Sequence, residues 1–241
     1  MDKPISDLHL VILCGGRGVR LRPLTDRVPK ALVPVHGRPI IDHVLDFFVA
    51  KGIGKATLCI GYKGDQIRQY FSEKRRDCNI QFSDAGENAS MLQRLKLAAD
   101  LIGTRFFVAY CDTFLDLDPT PVIAHHEKRD ALITLISAKI QSPFGIVSIA
   151  DGVVTSFKEK PVFDYFIGSF IVEPAAFEQA TEAMLSMPEG NGLVALFDTF
   201  VRSQKLAAYQ HEGLKITFNT ESERDIAEQE LLKFYTYRET S

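Results

Sequence analysis

Absences narrow this 241-residue chain before any motif does. No window approaches the roughly 18 consecutive apolar residues that a membrane-spanning helix needs, so no membrane partner is expected. There is no basic excess. The 28 lysines and arginines face 31 aspartates and glutamates, a net charge of −3, which argues against a nucleic-acid partner. The four cysteines, Cys14, Cys59, Cys78 and Cys111, form no C-x-x-C pair. Three of them fall in or at the ends of expected buried strands and read as small, reduced apolar residues of a cytoplasmic protein, not as a metal site. The opening stretch MDKPISDLHL lacks a signal-peptide hydrophobic region, which fits the same compartment. No internal repeat, low-complexity tract or linker interrupts the chain. With 46% hydrophobic and 24% charged residues, it suits one large α/β domain with a sizeable core, spanning 1–241.

The apolar pattern alternates between two periods. Leu10 to Leu13 is a short buried run. Ile40, Ile41, Val44, Leu45 and Phe48 share a helical face, and Gly52 stops that helix. Ala56 to Ile60 reads as a strand, a helix runs through Ile67, Tyr70 and Phe71, and Ile80 to Phe82 is a further strand. Met91, Leu92, Leu95, Ala98, Ala99 and Ile102 mark an amphipathic helix with Asn88 or Ser90 as its N-cap, followed by a strand at Phe106 to Tyr110. Such alternation predicts a doubly wound, mostly parallel α/β sheet of Rossmann type. The second half is richer in strands, at 132–138, 145–149, 153–157 and 165–172, with a turn at Asp151-Gly152. A helix through Leu193 to Val201 follows, then strands at 207–210 and 215–218. The last helix opens on the capping box Thr220-x-x-Glu223. Asp118 before Pro119 reads as another helix cap, and the His125-His126 pair as part of a solvated helix end.

One segment says more than the rest. Leu13 to Val35 reads LCGGRGVRLRPLTDRVPKALVPV: a buried strand empties into a loop carrying Gly15, Gly16 and Gly18, with Arg17, Arg20, Arg22 and Lys30 nearby. A glycine loop at the carboxyl end of a strand presents backbone N–H groups to a ligand, and the cations supply the complement to a polyphosphate. It is not a Walker loop, because Val19 and Arg20 follow Gly18 where Lys and Ser/Thr would be required. It is not a dinucleotide-binding loop either. Leu21 holds the third glycine position, and the stretch about 20 residues further on is apolar, Val33 to Val35.

These residues closely resemble the signature of the sugar-1-phosphate nucleotidyltransferases, L-x-G-G-x-G-x-R-L-x-P-L-T followed by P-K-x-x-x-P-V, here Leu13 to Thr25 and Pro29 to Val35. Cys59 to Phe71, C-x-G-Y-K-G-x-x-I-x-x-Y-F, is similar to the glucose-1-phosphate cytidylyltransferase branch of that family. The resemblance implies a GT-A-like nucleotidyltransferase fold with a small antiparallel acceptor-side portion, residues 1–118 mainly binding the NTP and 119–241 mainly the acceptor. It implies Mg²⁺ as cofactor, an NTP (CTP favoured) and a sugar-1-phosphate as partners, and an NDP-sugar and pyrophosphate as products. It leaves open a homo-oligomer.

The roles it implies fall on matching positions. Leu13, Gly15, Gly16 and Gly18 would contact the NTP, Arg20 its triphosphate, and Lys30 the α-phosphate or the acceptor phosphate. Glu87, Asn88 and Ser90 stand where the family reads the base. Asp112, in Tyr110-Cys111-Asp112-Thr113, matches the metal-binding aspartate. Asn219 stands where a second metal-binding aspartate is usual, and could instead cap the last helix. In Phe157-Lys158-Glu159-Lys160-Pro161, Lys160 matches the acceptor-phosphate lysine and Glu159 the hydroxyl-contacting glutamate. Gly168 belongs to the sugar-contact motif, but Ile167 replaces its asparagine. The family's base-binding G-T-A/G-G-A-L loop is also absent, with Gly86 to Met91 in its place. These departures admit two other readings: a cytidylyltransferase for a phosphorylated alcohol or amine, or, with Asn219 and Ile167 in view, a non-catalytic nucleotide-sugar sensor.

Overall fold

The computed structural model describes residues 5–72 and 77–239; residues 1–4, part of the opening stretch read above, lie outside them. A seven-stranded sheet forms the centre. Its first strand, β1 (His9–Leu13), sends Val11 to one face and Leu10 and Ile12 to the other, and all three are fully buried. That is why it reads as a continuous apolar run and not as an alternation. A small ribbon, β2 (Pro34–Val35) and β3 (Arg38–Pro39), precedes helix α1 (Ile40–Ala50). Strand β4 (Lys55–Ile60) then pairs parallel to β1, and after α2 (Gly64–Ser72) strand β5 (Asn79–Asp84) pairs parallel to β4. Helix α3 (Met91–Ile102) carries the chain back to β6 (Phe106–Tyr110) on the other side of β1.

The strand order therefore reverses between β1 and β6. The helices change face at the same place. α1 and α2 pack with Leu10 and Ile12, whereas α3 packs with Val11 and Val108. Such a reversal opens a crevice at the carboxyl ends of the strands.

The second half extends the same sheet. After β7 (Thr113–Leu115) and α4 (Pro119–Lys128), strand β8 (Ile133–Gln141) pairs antiparallel with β11 (Val162–Val172), which is also antiparallel to β6. Between them, β9 (Ile146–Ala150) and β10 (Val153–Lys158) form a separate hairpin turning at Asp151-Gly152. Helices α5 (Glu182–Leu185) and α6 (Asn191–Arg202) lead to β12 (Leu206–Gln210), parallel to β8. The order β12-β8-β11-β6-β1-β4-β5 is thus mostly parallel with one reversed strand. Finally β13 (Lys215–Thr217) pairs antiparallel with β7, outside the main sheet, and α7 (Glu221–Glu239) closes the described chain. Among the described residues no helix is long and apolar enough to cross a membrane.

The histidine pair corrects the sequence reading. His126 is buried, with Nδ1 2.7 Å from Thr134 Oγ1 and Nε2 3.3 Å from Glu173 Oε1. Burial alone would raise the Glu173 pKa, but hydrogen bonds from His126 and Arg105 outweigh it and hold the carboxyl below its ordinary value. Only His125 stays partly exposed, edge-on to Tyr209.

A second buried histidine sets a pH dependence. Gln81 donates to Thr57 Oγ1 at 2.7 Å, so the Thr57 hydroxyl is free to donate to His9 Nε2, also at 2.7 Å. The ring thus accepts as a neutral group. Burial, and then the charge of Lys55, push its pKa down from 6.5 to about 4. The folded state binds its proton less readily than the unfolded state does. The stabilisation is therefore complete above the unfolded value, near pH 6.5, and is lost as pH falls toward 4. Denaturant unfolding at several pH values should show about 2–3 kcal/mol of this loss in the wild type and a flatter curve for His9→Gln. Parallel curves would contradict the assignment.

Candidate active site

The crevice at the β1–β6 reversal is a cleft of about 730 Å³. Its floor is the loop leaving β1. The Thr25 hydroxyl donates to Gly18 O at 2.9 Å and ties the loop's far end to the short helical turn at Leu24–Asp26. Of the residues singled out from sequence, Leu13, Gly15, Gly16, Gly18, Arg20, Lys30, Glu87, Asn88, Asp112 and Asn219 all line this cleft. Segments far apart in the chain meet there: Lys30 and Asn219, which share a hydrogen bond, are 189 residues apart.

Two short strands bring the last pair together. β7 and β13 align Thr113 with Thr217, so Asp112, just before one strand, comes beside Phe218 and Asn219, just after the other. The Thr113 hydroxyl lies 3.1 Å from Asp112 Oδ1 and 3.2 Å from Thr217 Oγ1. The Asn219 backbone N–H donates to Glu223, whose own N–H donates to Thr220 Oγ1. Thr220 is therefore the cap of α7. Asn219 stands one residue earlier, its amide oxygen turned to the cleft, where it accepts from Lys30 Nζ at 3.1 Å. Lys30 also donates to Asp112, and its ammonium lies over the Phe218 ring at 5.7 Å.

The opposite wall rests on one buried cation. Arg94 is only 5% exposed, and its guanidinium donates to Ile60 O, to Gly15 O at 3.4 Å and to Glu87 O at 3.1 Å. It ties the glycine loop, the end of β4 and the 84–90 loop to one point. A Cβ on Gly15 or Gly61 would lie about 2.4–2.5 Å from this guanidinium, so only glycine leaves room for it. Above it Arg17 spans the cleft mouth, pairing with Glu87 at 2.8 Å and lying 5.5 Å over the Tyr62 ring.

Other expectations fall outside the wall. Ser90 is buried beneath it, in a capping box with Gln93 that opens α3, so its hydroxyl is committed to the helix. Glu159 and Lys160 sit exposed at the β10–β11 turn, away from the lining. Gly168 is buried against the Tyr110 ring, which does line the cleft, and Ile167 is buried in the core. Met91, Tyr110 and Glu189 join the lining without having been singled out. Arg94 was the legible omission: it stands on the stripe formed by Leu92, Leu95, Ala98 and Ala99, and a charge on a buried face signals a specific partner.

Cys14 and Cys59 do not suit a nucleophile. Burial pushes Cys14 well above its ordinary value and Cys59 up to about 12. Burial also raises Tyr110 to about 12, leaving it a neutral hydroxyl. The chemistry on offer is cationic and positional: a glycine loop, two basic side chains, and one carboxylate beside one carboxamide.

The chain as a whole is similar to known proteins. Glucose-1-phosphate cytidylyltransferase of Salmonella typhimurium is 29% identical over 233 residues, covering 86% of this chain and 89% of its own. A UTP–glucose-1-phosphate uridylyltransferase of Haloferax volcanii is 27% identical, covering 93% and 96%. HddC from Yersinia pseudotuberculosis, solved with GMP-PN, superposes with a TM-score of 0.72 at 19% identity, covering 93% and 99%, a likeness of fold alone. The Nucleotidyl transferase family matches residues 9–212, the whole span from the first strand of the sheet to its last. With that match over the sheet and the glycine-loop cleft at its reversal, the chain belongs to the sugar-1-phosphate nucleotidyltransferase family.

Proposed function

We propose that this chain transfers a nucleotidyl group from an NTP, CTP in the first instance, to a sugar-1-phosphate, releasing pyrophosphate, with Mg²⁺ as cofactor. The observation that carries the reading is the convergence of Lys30, Asp112 and Asn219 at the foot of the glycine loop. The attacking phosphate oxygen is already ionised near neutral pH, so the reaction needs no general base. It needs two anions brought together and the departing pyrophosphate neutralised. Backbone N–H groups of the 15–18 loop and Arg20, which has no ion pair among the described residues, face the triphosphate. Lys30 serves the α-phosphate, and Glu87 and Asn88, with Ala89 between them and Ser90, border the base.

The donor set fits Mg²⁺. Among the described residues no three His, Cys, Asp or Glu side chains converge on a cation, but Asp112 and Asn219 both reach the point where Lys30 Nζ sits. One carboxylate, one amide oxygen and phosphate oxygens from the substrates make the sort of site Mg²⁺ accepts. Bound there, the ion would neutralise charge on the reacting phosphates.

The cytidylyltransferase relatives support CTP, and the uridylyltransferase and guanyltransferase relatives make UTP and GTP its competitors. The buried Ile167, where a sugar-contacting asparagine was implied, favours a second reading, a phosphorylated alcohol or amine as acceptor. The test is pyrophosphate release with Mg²⁺ and each of CTP, UTP, dTTP, GTP and ATP. Each is paired with glucose-1-phosphate and with a panel of sugar and non-sugar phosphates. Release with CTP and a sugar-1-phosphate, abolished by Asp112→Ala, is the expected result. Release only with a non-sugar acceptor transfers the assignment to the second reading, and nucleotide binding without release to the sensor.

A further inference from the structure

Lys30 holds the place that a divalent cation would need. Its ammonium donates to Asp112 and to Asn219 Oδ1, the two side chains that would ligate the ion. It is not a loose surface pair: the Lys30 and Asp112 side chains are 13% and 18% exposed, and the Phe218 ring backs the ammonium at 5.7 Å. A divalent ion held by these two oxygens would take the position of the ammonium itself, and like charges that close repel strongly in a partly buried site. One must leave.

The geometry points to Lys30 as a displaceable internal cation: in the free cleft it neutralises Asp112, and entry of the divalent ion drives it off Asp112 and Asn219 toward the phosphates. Cation binding and delivery of Lys30 to the α-phosphate are then a single exchange. The nucleotide-free protein would bind the ion weakly, and a triphosphate would strengthen binding by giving the expelled ammonium a new anionic partner. The cleft thereby avoids leaving Asp112 as an uncompensated, largely buried charge between turnovers. This rests on the reading of Asp112 and Asn219 as cation ligands.

The experiment is Mn²⁺ binding to the nucleotide-free protein, read from the electron paramagnetic resonance signal of the free ion. Lys30→Met removes the charge and keeps most of the stem, and Lys30→Gln is the second variant should the first fold poorly. Either variant should bind Mn²⁺ at least about tenfold more tightly than the wild type, and adding Asp112→Asn should erase the gain. Asp112-dependent binding that is equal or weaker without the lysine charge would overturn the exchange while leaving the cation site standing. Absence of any Asp112-dependent binding in all three proteins would remove the site and the exchange together.

Discussion

Lys30→Met is expected to lower kcat by roughly 10²–10³-fold, the usual loss when one preorganised group facing developing charge is removed. The lysine is well placed for an effect of this size. It is largely buried in the cleft floor and is reached by segments far apart in the chain, so no neighbouring cation can replace it. Arg20 is exposed and further along the loop, and Arg17 is engaged with Glu87 at the cleft mouth. Lys30→Arg should rescue little, because a planar guanidinium does not fit a position shaped for a point charge between two oxygens. Steady-state pyrophosphate release at saturating CTP decides the matter. A kcat within a few-fold of wild type would mean that Lys30 serves the free protein alone.

Arg94→Met should raise KM for the NTP by about one to two orders of magnitude, because displacing a binding loop by about 1 Å can cost that much. The side chain does not have to touch the nucleotide for this to hold. Its guanidinium fixes Gly15 O of the phosphate loop and Glu87 O of the 84–90 loop at one point, so both lips of the cleft lose their common anchor at once. Methionine keeps the stem's packing but leaves buried carbonyls without donors, at about 1–3 kcal/mol. The measurement is KM and kcat together with the unfolding midpoint. A lower midpoint with unchanged KM would confine Arg94 to stability and remove it from the organisation of the cleft.

The residues that can be read from sequence are those whose neighbours in the chain are also their neighbours in space. The buried run from Leu10 to Leu13, the glycine loop after it and the Ser90 cap of α3 are local features, and each is where the pattern puts it. β7 and β13 are three residues each, too short for any period to register, so nothing local announces that Asp112 and Asn219 will meet. The His126 reading erred for a different reason. Pro119, Val122, Ile123 and His126 form the buried stripe of α4, and the spacing from Val122 to His126 was there to be seen. Two adjacent histidines near a helix end were read as a pair when the helix had already put them on different faces. The placement of Glu159 and Lys160 outside the cleft lining likewise depends on how the β9–β10 hairpin is carried, which no pattern within it specifies.

The ribbon of β7 and β13 stands apart from the seven-stranded sheet but is packed into the core, where Phe114, Leu115, Ile216 and Phe218 are buried and Phe114 meets Phe47 of α1 edge-on. Opening it would separate Asp112 from Asn219, but it would also bring those core side chains into water. Burial of this kind ties the opening of the ribbon to the free energy of global unfolding. Heat should therefore silence the protein only as it melts, the loss of activity coinciding with the loss of bulk secondary structure.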